Sequence, residues 1–169
     1  MKDTPAACRQ GWEERLNELL PVYGHRNWIV VADSAYPAQS KPGIETIFAG
    51  GGQLETVRKV LSAVDAARHV RANIYVDREL GFVEDADAPG VTDYRRQLAY
   101  ALRDATVREL PHEQIIARLD KSAQVFSILI LKTEMTIPYT SVFIELDCGY
   151  WTADAEERLR AAIPADILK

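Results

Sequence analysis

A five-residue run, Trp28-Ile29-Val30-Val31-Ala32, constrains the fold more than any other feature of the chain. It is short, rich in β-branched residues and apolar at every position, the pattern of a strand buried on both faces. Such a strand needs helices above and below it, and the flanking sequence supplies them. Residues 12–20 place Trp12, Leu16, Leu19 and Leu20 on one helical stripe, which Pro21 and Gly24 end or bend. From Leu54 to His69, the positions Leu54, Val57, Leu61 and Val64, with Val60 and Ala67 beside them, trace an amphipathic helix. A third helix is expected over 91–105. A fourth starts with Pro111 as its first residue and Glu113 near the positive end of its dipole.

Further strands are expected at 44–48, 72–76, 123–131 and 141–146, while 77–90, acidic and containing Gly and Pro, reads as a long surface loop. Asp154 and Glu157 form a capping pattern ahead of Leu159 and Ile163, which gives a C-terminal helix. The alternation predicts an α/β protein: one domain over residues 1–169, a mostly parallel central sheet with helices on both faces, and an extra C-terminal helix.

Charge and cysteine usage narrow the function. The formal net charge is −5 and Lys and Arg form no dense cluster, so a nucleic-acid partner would be bound against the overall field and is not expected. No stretch approaches the about 18 consecutive apolar residues of a membrane span. The opening residues, MKDTPAACRQ, lack the apolar core of a signal peptide. Cys8 and Cys148 read as reduced thiols, and the expected location is the cytoplasm. Neither CxxC, HxH nor HExxH occurs, so no metal site is expected.

Few residues are suited to chemistry. Of the three histidines, His69 falls at the end of a predicted helix, a structural position. His25 lies in a Gly-His turn before the first strand and His112 at a helix start; each is either an ordinary polar residue or a functional imidazole. Asp33 directly follows the apolar run. In open α/β sheets ligands gather beyond the carboxyl ends of strands, so it is either a ligand group or the anchor of an Asx-turn. Thr133, Glu134, Tyr139 and Ser141 crowd the approach to a later strand. They make either a polar ligand site or a connection cornered by Pro138. The FAGGG segment lacks both GxGxxG and GxxxxGK[ST], and a plain turn is the better reading.

The stretch GHRNWIVVADSAYP (24–37) and the later KTEMTIPYTSVFIEL (132–146) resemble the D-ribose pyranase and L-fucose mutarotase family, closer to the fucose branch. The family pattern is a Gly-His-x-Asp turn, an apolar strand and Asp-Ala-x-x-Pro, then a Thr-Gly-Glu and a Tyr-x-Asn segment before the last strand. The resemblance covers residues 11–151 and leaves 152–169 as a C-terminal helical extension. It implies a cofactor-free isomerase that interconverts anomers or ring forms of a monosaccharide. His25 would be the acid/base, and Asp33, His112, Tyr139, Thr140, Ser141 and Glu134 would bind substrate. Opening a sugar ring removes a proton from the anomeric hydroxyl and delivers one to the ring oxygen, and an imidazole titrating near neutrality can do both in turn.

Where the family has Asp, Ala, Gly and Asn, this chain has Asn27, Ser34, no glycine between Thr133 and Glu134, and Ser141. The alternative is therefore a catalytically silent sugar-binding or regulatory relative. His25 and Asp33 are eight residues apart across a strand, as much as roughly 26 Å. They share a pocket only if the turn folds back or a neighbouring subunit supplies one of them. The resemblance implies the second, through self-association into a ring, a pentamer or decamer.

Overall fold

The computed structural model describes residues 11–164 and 167. Its elements run α1 (Trp12–Leu19), β1 (Trp28–Ala32), β2 (Ile44–Phe48), α2 (Gln53–Ala66), β3 (Val70–Asp77), a 3-10 turn (Arg78–Phe82), α3 (Val91–Ala101), β4 (Val107–Leu110), α4 (His112–Ser122), β5 (Ile128–Lys132), β6 (Val142–Cys148) and α5 (Ala153–Ala162). The six strands form one sheet in the order β2-β5-β1-β6-β3-β4. Five strands point the same way. β6 alone is antiparallel, wedged between β1 and β3.

Alternation along the strands separates two cores. Ile29, Val31, Ile74, Leu129, Leu131 and Ile144 face α1, α2 and α3, joined by Leu16, Val57, Val60, Val64 and Leu98. Trp28, Val30, Tyr75, Ile128, Ile130 and Phe143 face the other way, onto Ile115 and Leu119 of α4. Trp28 stacks on Tyr75 with ring centroids 5.6 Å apart, a pair worth about 0.5–1.5 kcal/mol beyond its buried area. β1 is buried at every residue, as its composition requires. The α/β class, the mostly parallel sheet, the helices on both faces and the C-terminal helix all stand as the sequence indicates. Among the described residues no helix is long and apolar enough to cross a membrane.

Several details differ. β4 was not expected: it is four residues long, an edge strand with two exposed charged side chains, and carries no apolar signature. Residues 123–127 turn before β5 rather than extending it. α2 ends at Ala66, so His69 lies in the following turn, with Nε2 3.1 Å from the Leu20 carbonyl and 3.0 Å from that of Tyr23. Its role is structural, through those carbonyls rather than through a helix dipole. Pro111 is the N-cap of α4 and not its first residue. Thr152, not Asp154, caps α5, accepting from the Ala155 N–H at 3.1 Å. Residues 77–90 are no uniform surface loop: Asp77 is a buried strand end, and Arg95 donates to the carbonyls of Leu80 and Val83. Cys8 lies outside the described residues; Cys148 is free.

Candidate active site

Beyond the carboxyl ends of β1 and β3, a cavity of about 420 Å³ is lined by Asp33, Asp77, His112 and Tyr139, with Met135 and Ile137 on its apolar side. That volume lies in the range of small-molecule sites. Val31 and Val76 both pair with Val142 of β6, so the two strands arrive in step, one on each side of it. Asp33 and Asp77 therefore project from strands two sheet spacings apart, roughly 9–10 Å.

Asp77 is the most constrained group in the cavity. Its residue is 2% exposed, and its Oδ1 lies 3.0 Å from His112 Nδ1. Oδ2 is buried without a partner among the described residues. Burial pushes the carboxyl up to about 6, although the neighbouring His112 opposes the rise. Glu79 fixes the start of α4 by accepting the His112 backbone N–H at 3.0 Å with both oxygens. With Nδ1 turned to Asp77, Nε2 is the nitrogen left for other partners. Tyr139 meets the imidazole edge-on, centroids 5.7 Å apart, and holds a left-handed backbone at φ +60°. Such a conformation in a non-glycine residue costs of order 1–3 kcal/mol and persists only where its surroundings fix it.

Asp33 anchors the expected Asx-turn and also lines the cavity. Oδ1 accepts the Ala35 N–H at 3.0 Å, the expected Asx-turn, while Oδ2 accepts from the Ser141 hydroxyl at 3.0 Å. Ser141 thus orients Asp33 rather than lining the cavity itself. Thr140 does not present its side chain either: it is fully buried and donates its hydroxyl to the Ile137 carbonyl at 2.7 Å. Glu134 is exposed and off the cavity wall, with its backbone N–H on the Gly51 carbonyl.

Gln53 escaped the sequence reading, although it ties the site together. It is 2% exposed and donates to the carbonyls of Val31 (3.0 Å) and Thr140 (2.8 Å), while accepting from the Thr133 hydroxyl at 2.5 Å. One amide thus clamps the three segments that deliver Asp33, the 135–139 loop and Ser141. The Tyr94 phenol, kept protonated because burial pushes it above its ordinary range, donates to the same Thr140 carbonyl. The triple glycine is the turn that sets Gln53 at the start of α2, with Gly50 and Gly51 at φ +67° and +61°.

His25 lies elsewhere. It is exposed at the amino end of β1, in a second cleft of about 780 Å³. The five residues of β1 alone put about 16 Å between that end and Asp33, so the turn does not fold back to join them. Asn27 closes the turn: its Oδ1 accepts the Gly24 N–H at 2.8 Å, and its Nδ2 donates to the Ser127 carbonyl at 3.0 Å. A carboxylate could not make the second bond. Asp147 stands beside His25. Burial opposes its ionisation, but hydrogen bonds from Arg71 and the Cys148 N–H, with the field of His25, hold it below the ordinary carboxylate range.

An α/β sheet covered on both faces, with a cavity beyond the carboxyl ends of its strands, places the chain in the doubly covered sheet class, where ligands gather at that end. More narrowly, residues 12–149 match the RbsD / FucU transport protein family, and the chain belongs to that family. No curated protein sequence matches it. Among solved structures, the chain is similar to RbsD of Bacillus subtilis complexed with D-ribose. That match has 18% identity and a TM-score of 0.54, and covers 90% of this chain and 100% of that one. It is also similar to the fucose mutarotase of Streptococcus pneumoniae in complex with L-fucose, with 20% identity and a TM-score of 0.50, over 79% of this chain and 91% of that one. FucU of Bifidobacterium longum matches at 16% identity and a TM-score of 0.50, over 79% and 93%.

Proposed function

We propose that this chain is a cofactor-free isomerase that interconverts anomers or ring forms of a monosaccharide by acid/base ring opening. The observation that carries the reading is the Asp77–His112 pair, a buried carboxyl on a part-exposed imidazole, facing Asp33 across one cavity. Asp33 and the Tyr139 phenol hold sugar hydroxyls. Asp77 accepts the Nδ1–H of His112, which leaves Nε2 as a base for the anomeric proton and stabilises the imidazolium that forms. The ring oxygen takes its proton from a second imidazole, and the sugar closes on either face as both protons are returned. The unpartnered Oδ2 of Asp77 is satisfied by a hydroxyl of the bound sugar.

His25, the acid/base that the family resemblance implies, enters from a second copy of the chain. Its exposed position at the amino end of β1 suits a group offered outwards, and self-association into a ring supplies the geometry. Saturation-transfer NMR on a panel of aldoses tests the reading. The intact protein is expected to speed anomer exchange, and His112→Ala and His25→Ala are each expected to lose it. Mixing His25→Ala with Asp33→Asn is expected to restore part of the activity, because some mixed contacts carry both native groups. Loss in neither histidine variant overturns the mechanism. Sugar-induced thermal stabilisation without faster exchange leaves a binding protein.

A further inference from the structure

The family match ends at residue 149, yet the described chain continues through residue 164 as an arm that carries α5. Gly149 fixes its departure point: a Cβ there would lie 2.6 Å from the Arg68 carbonyl oxygen and 2.8 Å from that of Val70, so only glycine passes so close to β3. From this pivot the arm turns over the His25 cleft and closes one wall of it with Trp151, Glu156 and Arg160. The arm does not complete the core, since α5 has no buried residue. Its inward groups are instead fixed to one another: the Trp151 indole N–H donates to Glu156 at 2.8 Å, and Arg160 donates to the other oxygen of that carboxylate at 2.6 Å.

The opposite wall carries Arg26, next to His25, with a left-handed backbone at φ +74°. Arg26 and Tyr139 are the only non-glycine residues with positive φ among those described, and each flanks one of the two clefts. Arg71 and Arg160 are engaged by Asp147 and Glu156. Arg26 has no carboxylate partner among the described residues and rests over the Phe126 ring, 5.7 Å from its centroid. The cleft is therefore lined by three arginines and two acidic residues in a chain of net charge −5, beside an aromatic ring pinned in place. An exposed arginine without a counter-charge, on a cleft also lined by an immobilised indole and an imidazole, suits a ring-shaped ligand bearing a carboxylate or phosphate.

We infer that the arm after Gly149 is a specificity wall: Trp151 packs on the face of the sugar presented to His25, and Arg26 takes an anionic substituent, so the preferred substrate is an acidic aldose. This rests on the proposed role of His25. The test follows the indole N–H signals of the three tryptophans in ¹⁵N-labelled full-length protein, with Trp151 assigned from Trp151→Phe. The probes are glucuronate, glucose 6-phosphate, glucose, D-ribose and L-fucose at constant ionic strength.

The Trp151 signal is expected to move saturably, with about tenfold tighter binding for an anionic sugar than for glucose, as one charge-assisted hydrogen bond supplies. Comparing the uronate with the phosphate ester identifies which anion is used. Arg26→Asn, which tolerates the left-handed backbone, is expected to erase that preference. A Trp151 signal that no sugar moves, or that neutral and anionic sugars move at equal concentrations, overturns the inference. Exchange of ribose or fucose that His25→Ala abolishes, with Trp151 unmoved, overturns the wall and leaves the isomerase standing. A shift of Trp151 by acidic sugars without exchange of any sugar keeps the wall and defeats the isomerase.

Discussion

The two ends of β1 present two kinds of cleft. At its carboxyl end the groups are held from several sides: buried Asp77 by His112, half-buried Asp33 by Ser141, and their carrier segments by the buried Gln53. At its amino end the acid/base candidate is exposed, and one wall is an arm with no core contact of its own. The first is preorganised within one chain; the second is open. A single strand carries a piece of each, so closeness in sequence between His25 and Asp33 is no guide to closeness in space.

The contrast can be broken most directly at the buried end. His112→Ala is expected to slow anomer exchange by about 10²–10⁴-fold, the usual worth of a positioned acid/base group, while circular dichroism stays native. An equal rate in the variant would make the Asp77–His112 pair a structural contact only. Next in size, Gln53→Leu strips one buried clamp from three segments and is expected to cost about 2–4 kcal/mol in urea unfolding. A loss under about 0.5 kcal/mol would show that the segments hold themselves.

Asp77 sharpens the comparison through pH. Its carboxyl is raised from 3.8 in the unfolded chain to about 6 when folded, so it favours folding only while protonated. That contribution is whole below about pH 4 and lost as the pH rises through about 6. Asp77→Asn, which does not titrate, is expected to gain stability relative to the parent between about pH 4 and pH 7.5, by up to about 3 kcal/mol. Thermal melts across that window that keep a constant gap would remove the buried ionisable carboxyl from the account. The smallest effect belongs to the open end: removing the arm after Gly149 is expected to change global stability by less than about 1 kcal/mol, because α5 buries nothing. A larger loss in urea unfolding would make the arm part of the core.

The sheet was legible because hydrophobic period is a local property. WIVVA and IETIF match β1 and β2 residue for residue, and the face alternation follows from them. VREL was not legible as β4, since an edge strand buries too little to need apolar residues. Asp77 was missed because the acidic residues after it dominate the composition of 77–90. The signal that exposed Asp33, an apolar run ended by aspartate, is repeated there as NIYVD. Gln53 offered no such signal: a lone amide after three glycines gives no hint of the carbonyls it will meet. Nor does a sequence motif say that a strand will carry its two ends to opposite rims of a sheet.

The placing of β6 has a consequence for how the protein matures. Among the described residues the sheet consists of two patches, β2-β5-β1 and β3-β4, and the only backbone ladder between them is β6, the last of these strands in chain order. Until residues 142–148 thread into that gap, the aspartates at its two banks have no fixed separation and the inner rims of both patches lie bare. Assembly of the proposed site is thus expected to wait for one long-range pairing, and a chain interrupted before it is expected to expose unpaired strand edges.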